Sequence, residues 1–150
     1  MVKTFNDIWD KKVFLGGTCN NSTWRDTIIQ KLKIKYFNPV VDDWTEEAYE
    51  EELVQRELCD FCLYVISPLM TGVYSIAEVV DDSNKRPEKT IFCVIEEDRQ
   101  PDSEWVQFTQ GQLKSLGQVK KMVEDNGANV YDTLEEVAEF LNLSGDSSNE

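Results

Sequence analysis

The chain has 150 residues, of which 41% are apolar, and this suffices for one domain with one hydrophobic core. Its formal net charge of −14 repels phosphate backbones and anionic lipid headgroups, so we expect no nucleic acid and no membrane surface as a partner. A small nucleotide is still compatible with this charge, because backbone N–H groups and helix termini outweigh a distant, screened field at contact range.

The cysteines bear on metal chemistry and on the compartment. Cys59 and Cys62 have the Cys-x-x-Cys spacing of a metal-binding pair. The chain has no histidine, however, and only Cys19 and Cys93 could complete a four-sulfur site. We therefore expect no metal and no cofactor. Acidic residues near the start, such as Asp7, interrupt any signal-peptide core, so a reducing, cytoplasmic compartment is expected. No apolar run approaches the roughly 18 residues of a membrane helix.

The first half of the chain alternates short apolar runs with helical patterns. Strands are predicted over residues 13–15, 36–40 and 61–66, and the last is apolar almost throughout, as a strand buried on both faces should be. A helix is predicted over 23–32, with Ser22 as its cap, because apolar residues recur there at helical spacing. Residues 44–58 mix apolar residues with many acids, which indicates a mostly solvated helix.

The second half continues the alternation. It predicts a helix over 75–82, a strand over 90–95, a helical region over 104–123 interrupted near Gly111 and Gly117, a strand over 129–131 and a helix over 133–141. Residues 84–88 and 96–103 are expected to be surface loops. We expect one domain over 1–143 and a flexible polar tail over 144–150.

This alternation predicts an α/β fold with a parallel sheet covered by helices on both faces. Five strands with right-handed crossovers favour a flavodoxin-like, doubly wound sheet of order 2-1-3-4-5. In that order the connections after strands 1 and 3 leave to opposite faces, and a crevice opens at their carboxyl ends. The loops 16–22 and 67–75 would border the crevice, with 38–44 beside them.

Two motifs lie at this crevice, and each has two interpretations. The loop that starts with Gly16, Gly17 and Thr18 could bring its backbone close to a phosphate or sugar, or could simply end a strand tightly. Ser75 and Glu78 have the Ser-x-x-Glu spacing of a capping box. Alternatively, Glu78 is a nucleophile at a helix N-terminus, where the helix dipole favours its ionised form.

Acidic residues and a tryptophan near the other strands are also ambiguous. Asp60, just before the third strand, could be a turn residue or part of the site. Asp42 and Asp43 follow the second strand, where a pair of aspartates is normally solvent-facing. Trp44 beside them could cover the core or stack on a planar base.

These residues together resemble the nucleoside 2-deoxyribosyltransferase-like family over roughly residues 11–96. The most specific part is an Asn-Pro-x-x-Asp-Asp-Trp block at 38–44, followed at similar spacings by Asp60 and by Ser-Ile-x-Glu at 75–78. The run Val-Phe-Leu-Gly-Gly-Thr at 13–18 adds to it, although a glycine-rich strand end alone is weak evidence.

The resemblance implies a flavodoxin-like fold and a retaining double displacement, in which Glu78 forms a glycosyl ester and a second base or water receives the sugar. It implies that Asp60 binds the base and handles its proton. It also implies a substrate pocket lined by Gly16, Gly17, Thr18, Asn38, Asp42, Asp43, Trp44 and Ser75. Relatives carry an aspartate where this chain has Gly72.

The resemblance further implies a small-molecule nucleoside or nucleotide as partner, and a homo-oligomer, because a neighbouring subunit completes the pocket in some relatives. Transfer and hydrolysis are both compatible with it. Two alternatives stay open: a loose similarity to TIR domains, which would predict NAD cleavage at the nicotinamide ribose, and a non-catalytic nucleotide-binding module. All of them use the same crevice.

Overall fold

The computed structural model describes residues 10–145 and shows a five-stranded parallel sheet with helices on both faces. Its strands are β1 (Lys12–Gly17), β2 (Lys35–Phe37), β3 (Phe61–Ile66), β4 (Thr90–Val94) and β7 (Asn129–Tyr131). They lie in the order β2-β1-β3-β4-β7, and every neighbouring pair is parallel. The flavodoxin-like order is therefore confirmed, with β7 as the fifth strand of the sheet.

The helices that cover the sheet are α1 (Trp24–Ile29), α2 (Glu46–Leu58), α3 (Tyr74–Lys85), α4 (Gln110–Asp125) and α5 (Leu134–Gly145). Alternate strand residues enter two separate cores, as the period of a strand requires. Leu63 packs under α1 and α5 with Ile28 and Leu141, whereas Tyr64 packs under α3 and α4 with Val79. The central strands are thus buried on both faces, as predicted.

The region between β4 and β7 differs from the prediction. A short antiparallel hairpin, β5 (Glu97–Asp98) with β6 (Val106–Gln107), occupies the predicted loop and the predicted helix start. The helix begins only at Gln110, where Thr109 and Gln112 form a capping box, and it is not interrupted. Gly111 and Gly117 face solvent, so each costs about 1 kcal/mol of helix propensity without breaking the helix.

The start of α3 decides between the two interpretations of the Ser-x-x-Glu motif. The helix begins at Tyr74, and its N-cap is Val73, which makes no side-chain capping bond. Ser75 is therefore the second helical residue and Glu78 the fifth, so the capping box is not formed. The predicted place of Glu78 in the first turn of the helix was also wrong, because the helix starts at Tyr74, one residue before the predicted start at Ser75.

Several other boundaries differ by a few residues. The first strand extends through Gly17, the second ends at Phe37, and α1 ends at Ile29. The helix α5 continues through Gly145, so part of the predicted tail is helical, and residues 146–150 of that tail lie outside the described residues. Across residues 10–145, none of the helices combines the length and apolar character needed to span a membrane.

Candidate active site

The loops after β1 and β3 border two cavities at the carboxyl ends of these strands. The larger, of about 1,170 Å³, has walls from four loops, including Asn38 and Asp42 after β2. The smaller, of about 160 Å³, is lined by Gly17, Thr18, Cys19, Asn20, Met70, Thr71, Gly72, Tyr74 and Ser75. The structure therefore brings five of the predicted site residues to one crevice: Gly17, Thr18, Asn38, Asp42 and Ser75.

The crevice is divided by Asn20. Its Nδ2 donates to the Leu69 carbonyl at 2.8 Å and to Thr71 Oγ1 at 3.0 Å, which joins the loop after β1 to the loop after β3. Asn20 and Asn21 both have positive φ, 53° and 59°, a region that asparagine tolerates better than most residues. The two cavities therefore lie on either side of one side-chain bridge.

The glycines after β1 are needed for close packing against β3. Gly17 has a φ of 121°, and a Cβ there would lie 2.0 Å from the Val65 carbonyl oxygen. A Cβ on Gly16 would lie 2.7 Å from the Tyr64 ring. Gly16 is buried within the strand and lines neither cavity, so its role is the tight strand end. Only the backbone from Gly17 onward faces the crevice.

Arg25 lies beneath this glycine loop and is 6% exposed. Its guanidinium donates to the carbonyls of Leu15, Thr18 and Gly17 at 3.1, 2.7 and 3.2 Å. Burial lowers its pKa, and the neighbouring side chains of Cys19, Glu52 and Glu78 oppose that shift. Arg25 therefore connects the glycine loop electrostatically with Glu78.

Glu78 is 5% exposed, and its Oε2 accepts no hydrogen bond. The nearest cation is Arg56 of α2, whose Nη1 lies 3.6 Å from that oxygen. Burial raises the pKa of Glu78 to about 9, with further contributions from a hydrogen bond to Glu52 and from the charge of Glu52. With its pKa raised to about 9, Glu78 carries a proton at neutral pH, and this proton can bond the neighbouring Glu52.

The helix α2 presents its polar face to the protein. Of its thirteen residues only Glu52 and Arg56 are buried, whereas Leu53, Val54 and Leu58 are exposed. This explains why the sequence predicted a solvated helix but missed Glu52. The available signal was the spacing of Glu52 and Arg56, which at i and i+4 share one helix face next to the predicted nucleophile.

Aromatic residues of α2 and α3 meet beside the smaller cavity. Tyr74 lines this cavity, and its pKa is raised by burial, by Glu78 and by the neighbouring Tyr49. Glu78 lies one helical turn further along α3. Trp44 packs edge-on against Tyr49 at 6.1 Å between ring centroids and is 59% exposed. Trp44 and Asp43 line neither cavity. Of the predicted block after β2, Asn38 and Asp42 therefore line the larger cavity, whereas Asp43 and Trp44 do not. Tyr49 is an aromatic residue near the site that the sequence patterns did not predict.

Asp60 is not brought to this crevice. Its Oδ2 accepts from the Lys12 backbone N–H at 2.9 Å, and its own N–H donates to the Lys12 carbonyl at 2.8 Å. Both residues lie where β1 and β3 begin. Six strand residues place the carboxyl end of β3 about 20 Å away. The turn interpretation therefore fits Asp60, and its implied part in handling the proton of the base has no support from the geometry.

A third cavity, of about 700 Å³, is lined by residues that follow β4 and β7, and its walls include Trp24, Trp105 and Asp132. None of the predicted site residues lines it. The candidate site is therefore the crevice between β1 and β3. Within the part of the chain that the structure describes, no group of three or more cysteine, aspartate or glutamate side chains could hold a metal ion.

Comparison with known protein families assigns the chain to one of them. A model of the nucleoside 2-deoxyribosyltransferase-like family matches residues 10–97, more than half of the chain. The chain belongs to this family. The matched range covers the glycine loop, α2 and α3, and ends before α4, β7 and α5. This is a family of nucleoside-related glycosyl transfer, which supports a small-molecule nucleoside as the partner. No match was found among curated proteins.

Proposed function

We propose that this nucleoside 2-deoxyribosyltransferase-like protein cleaves the N-glycosidic bond of a nucleoside or nucleotide through a covalent glycosyl ester on Glu78. The sugar then passes to a second base or to water. The observation that carries the proposal is the burial of Glu78 together with Glu52, one helical turn along α3 from Tyr74, which lines the smaller cavity. A carboxylate nucleophile and a mobile proton are the two groups that this reaction needs.

The first step uses both carboxyl groups. The bond between the anomeric carbon and the base nitrogen breaks, its electron pair stays on the nitrogen, and the shared proton moves to the base. A Glu78 oxygen forms the new bond to the anomeric carbon, and Glu52 is left ionised. The pair carries one negative charge before and after this step, which suits a buried site where a net change of charge is costly.

The second step reverses the proton movement. Glu52 accepts a proton from the incoming base or water, which attacks the anomeric carbon and releases Glu78. Retaining pairs stand about 5 Å apart, so the substrate has to enter between the two carboxyl groups.

A product analysis tests the proposed function. Purified protein is incubated with deoxynucleosides, their 5′-monophosphates and NAD, with and without an acceptor base, and the products are separated by chromatography. We expect base exchange or free base from at least one nucleoside or nucleotide. Nicotinamide release with inert nucleosides would favour the TIR-like alternative, and tight nucleotide binding without turnover would favour the non-catalytic module. Either outcome would contradict the proposal.

We also propose that the protein is a homo-oligomer in which the outer face of α2 packs against a second copy. Leu53, Val54 and Leu58 of α2 are 40%, 45% and 73% exposed. An apolar patch of this extent is typical of an interface.

Replacing Leu58 with lysine is expected to weaken this association more than tenfold, because a charge would be buried in the apolar interface. Sedimentation velocity over a concentration series measures the effect. Met122→Lys is the matched control, because Met122 is 54% exposed on α4, far along the chain from this patch. A parent protein that is monomeric at all concentrations, or equal dissociation in both variants, would contradict the proposal.

A further inference from the structure

A buried ion network lies directly behind the pair of Glu52 and Glu78. Arg56 donates from Nη2 to Asp82 Oδ1 at 2.8 Å and from Nε to Asp82 Oδ2 at 3.3 Å, a two-point contact that fixes the plane of the guanidinium. Its Nη2 also lies 3.2 Å from Asp81. The remaining nitrogen, Nη1, is the one directed at Glu78. The orientation of Arg56 towards Glu78 is therefore set by Asp82.

Asp82 is itself held from several sides and is 0% exposed. Besides Arg56, it accepts hydrogen bonds from the Tyr64 hydroxyl on β3 and from Arg86 Nε at 3.0 Å. Arg86 also donates to the Arg56 carbonyl at 3.3 Å. Sheet, α2 and the end of α3 are thus joined at one carboxylate. These contacts fix the position of Arg56, although Glu52 and Arg56 are the only buried residues of α2.

We infer that Arg56, fixed by Asp82, is a positioning residue of the site: it holds α2 on α3 so that Glu52 stays over Glu78, and it directs one N–H edge at the Glu78 oxygen. The inference rests on the proposed function. Glu52 lies one turn from Arg56 on the same face of α2, so a change in the position of Arg56 moves Glu52 as well. Glu78 must ionise to attack, and Arg56 places a positive charge beside it.

The charges around Glu78 determine how the pair responds to the loss of Arg56. Arg25 approaches from α1, Glu52 and Arg56 from α2, and Tyr74 and Asp82 lie on α3 itself. Of these, Arg56 lowers the pKa of Glu78, whereas Glu52 and Asp82 raise it. Without Arg56 the ionisation of Glu78 should move to higher pH, because negative neighbours remain and a positive one is lost.

The test is Arg56→Met, with Arg56→Lys as the conservative variant. We expect kcat to fall about 100-fold with little change in KM, because the reacting groups are displaced while the crevice loops are intact. The alkaline limb of the pH profile of kcat, which reports the ionisation of Glu78, should move to higher pH. Arg56→Lys keeps the charge without the two-point contact, so it should restore this limb but only part of kcat.

Arg86→Met is the matched control, because Arg86 contacts the same aspartate without facing Glu78. It should lower the melting temperature and leave the alkaline limb of the pH profile in place. If Arg56→Met also changed only the melting temperature, or if it raised KM alone, the inference would be refuted.

A titration independent of turnover separates this inference from the proposed function. The carboxyl carbon of Glu78 is followed by ¹³C NMR in glutamate-labelled protein, with Glu78→Gln for assignment. We expect its midpoint to move to higher pH in Arg56→Met. An unchanged midpoint refutes the inference even if the parent protein turns over nucleosides. A shifted midpoint supports it even if no substrate in the panel reacts.

Discussion

Replacing Glu78 with glutamine is expected to lower kcat/KM for the best substrate by about 10⁴-fold or more, because an amide cannot form the glycosyl ester. The amide has nearly the shape of the carboxyl group and can still hydrogen-bond Glu52 in the buried site. The fold should therefore persist, which circular dichroism and thermal unfolding can establish. Initial rates of base release or exchange measure the effect.

Asp60→Asn is the matched control for this experiment. Asp60 is an acidic residue with a structural contact to Lys12 at the opposite end of the sheet, so its variant should keep the parental kcat/KM within a few-fold. The proposed role of Glu78 as nucleophile would be contradicted if Glu78→Gln turned over every substrate like the parent, or if Asp60→Asn lowered kcat/KM more than Glu78→Gln did.

Replacing Glu52 with glutamine should cause a loss that depends on the leaving base. For ordinary deoxynucleosides the expected reduction is about 10²- to 10⁴-fold, the usual contribution of a general acid. An N7-methylated purine nucleoside already carries a positive charge on its base, and the base departs neutral without taking a proton. Its release should therefore remain close to the parental rate, which single-turnover kinetics can measure.

Equal losses on both substrates would show that Glu52 has only a structural role.

The proton carried by Glu78 also predicts the pH dependence of the parent protein. The pKa of Glu78 is raised to about 9, so above that pH the pair loses its last proton and none is left for the base. Turnover of ordinary nucleosides should fall as pH rises through about 9, and turnover of the methylated nucleoside should not show this limb.

Much of the fold could be predicted from the sequence because strand and helix periods differ. The continuous apolar run of β3 indicates burial on both faces, and the alternation of strands with helices indicates parallel pairing. The hairpin of β5 and β6 was missed because its strands have two residues each, too few for any period. The uninterrupted α4 was missed because glycine on an exposed face weakens a helix without ending it.

The candidate site was predicted less completely. Strand order places Gly17, Thr18 and Ser75 at the crevice. A residue reaches this crevice only if it follows a strand, because the crevice lies at the carboxyl ends of the strands. Asp60 precedes β3, so the length of that strand separates it from the crevice. Glu52 was missed because pattern analysis assumes that a helix buries its apolar face. In α2 the buried residues are charged, and the apolar residues face outward.

The most direct test of the account is to isolate the covalent intermediate. The protein is mixed with a reactive deoxynucleoside, quenched rapidly in acid, digested and analysed by mass spectrometry. We predict one added deoxyribosyl group on the peptide that contains Glu78, with fragmentation assigning it to that side chain and no adduct in Glu78→Gln. Turnover with no adduct under conditions where the second step is slowed, or an adduct on a different residue, would contradict the proposed role of Glu78.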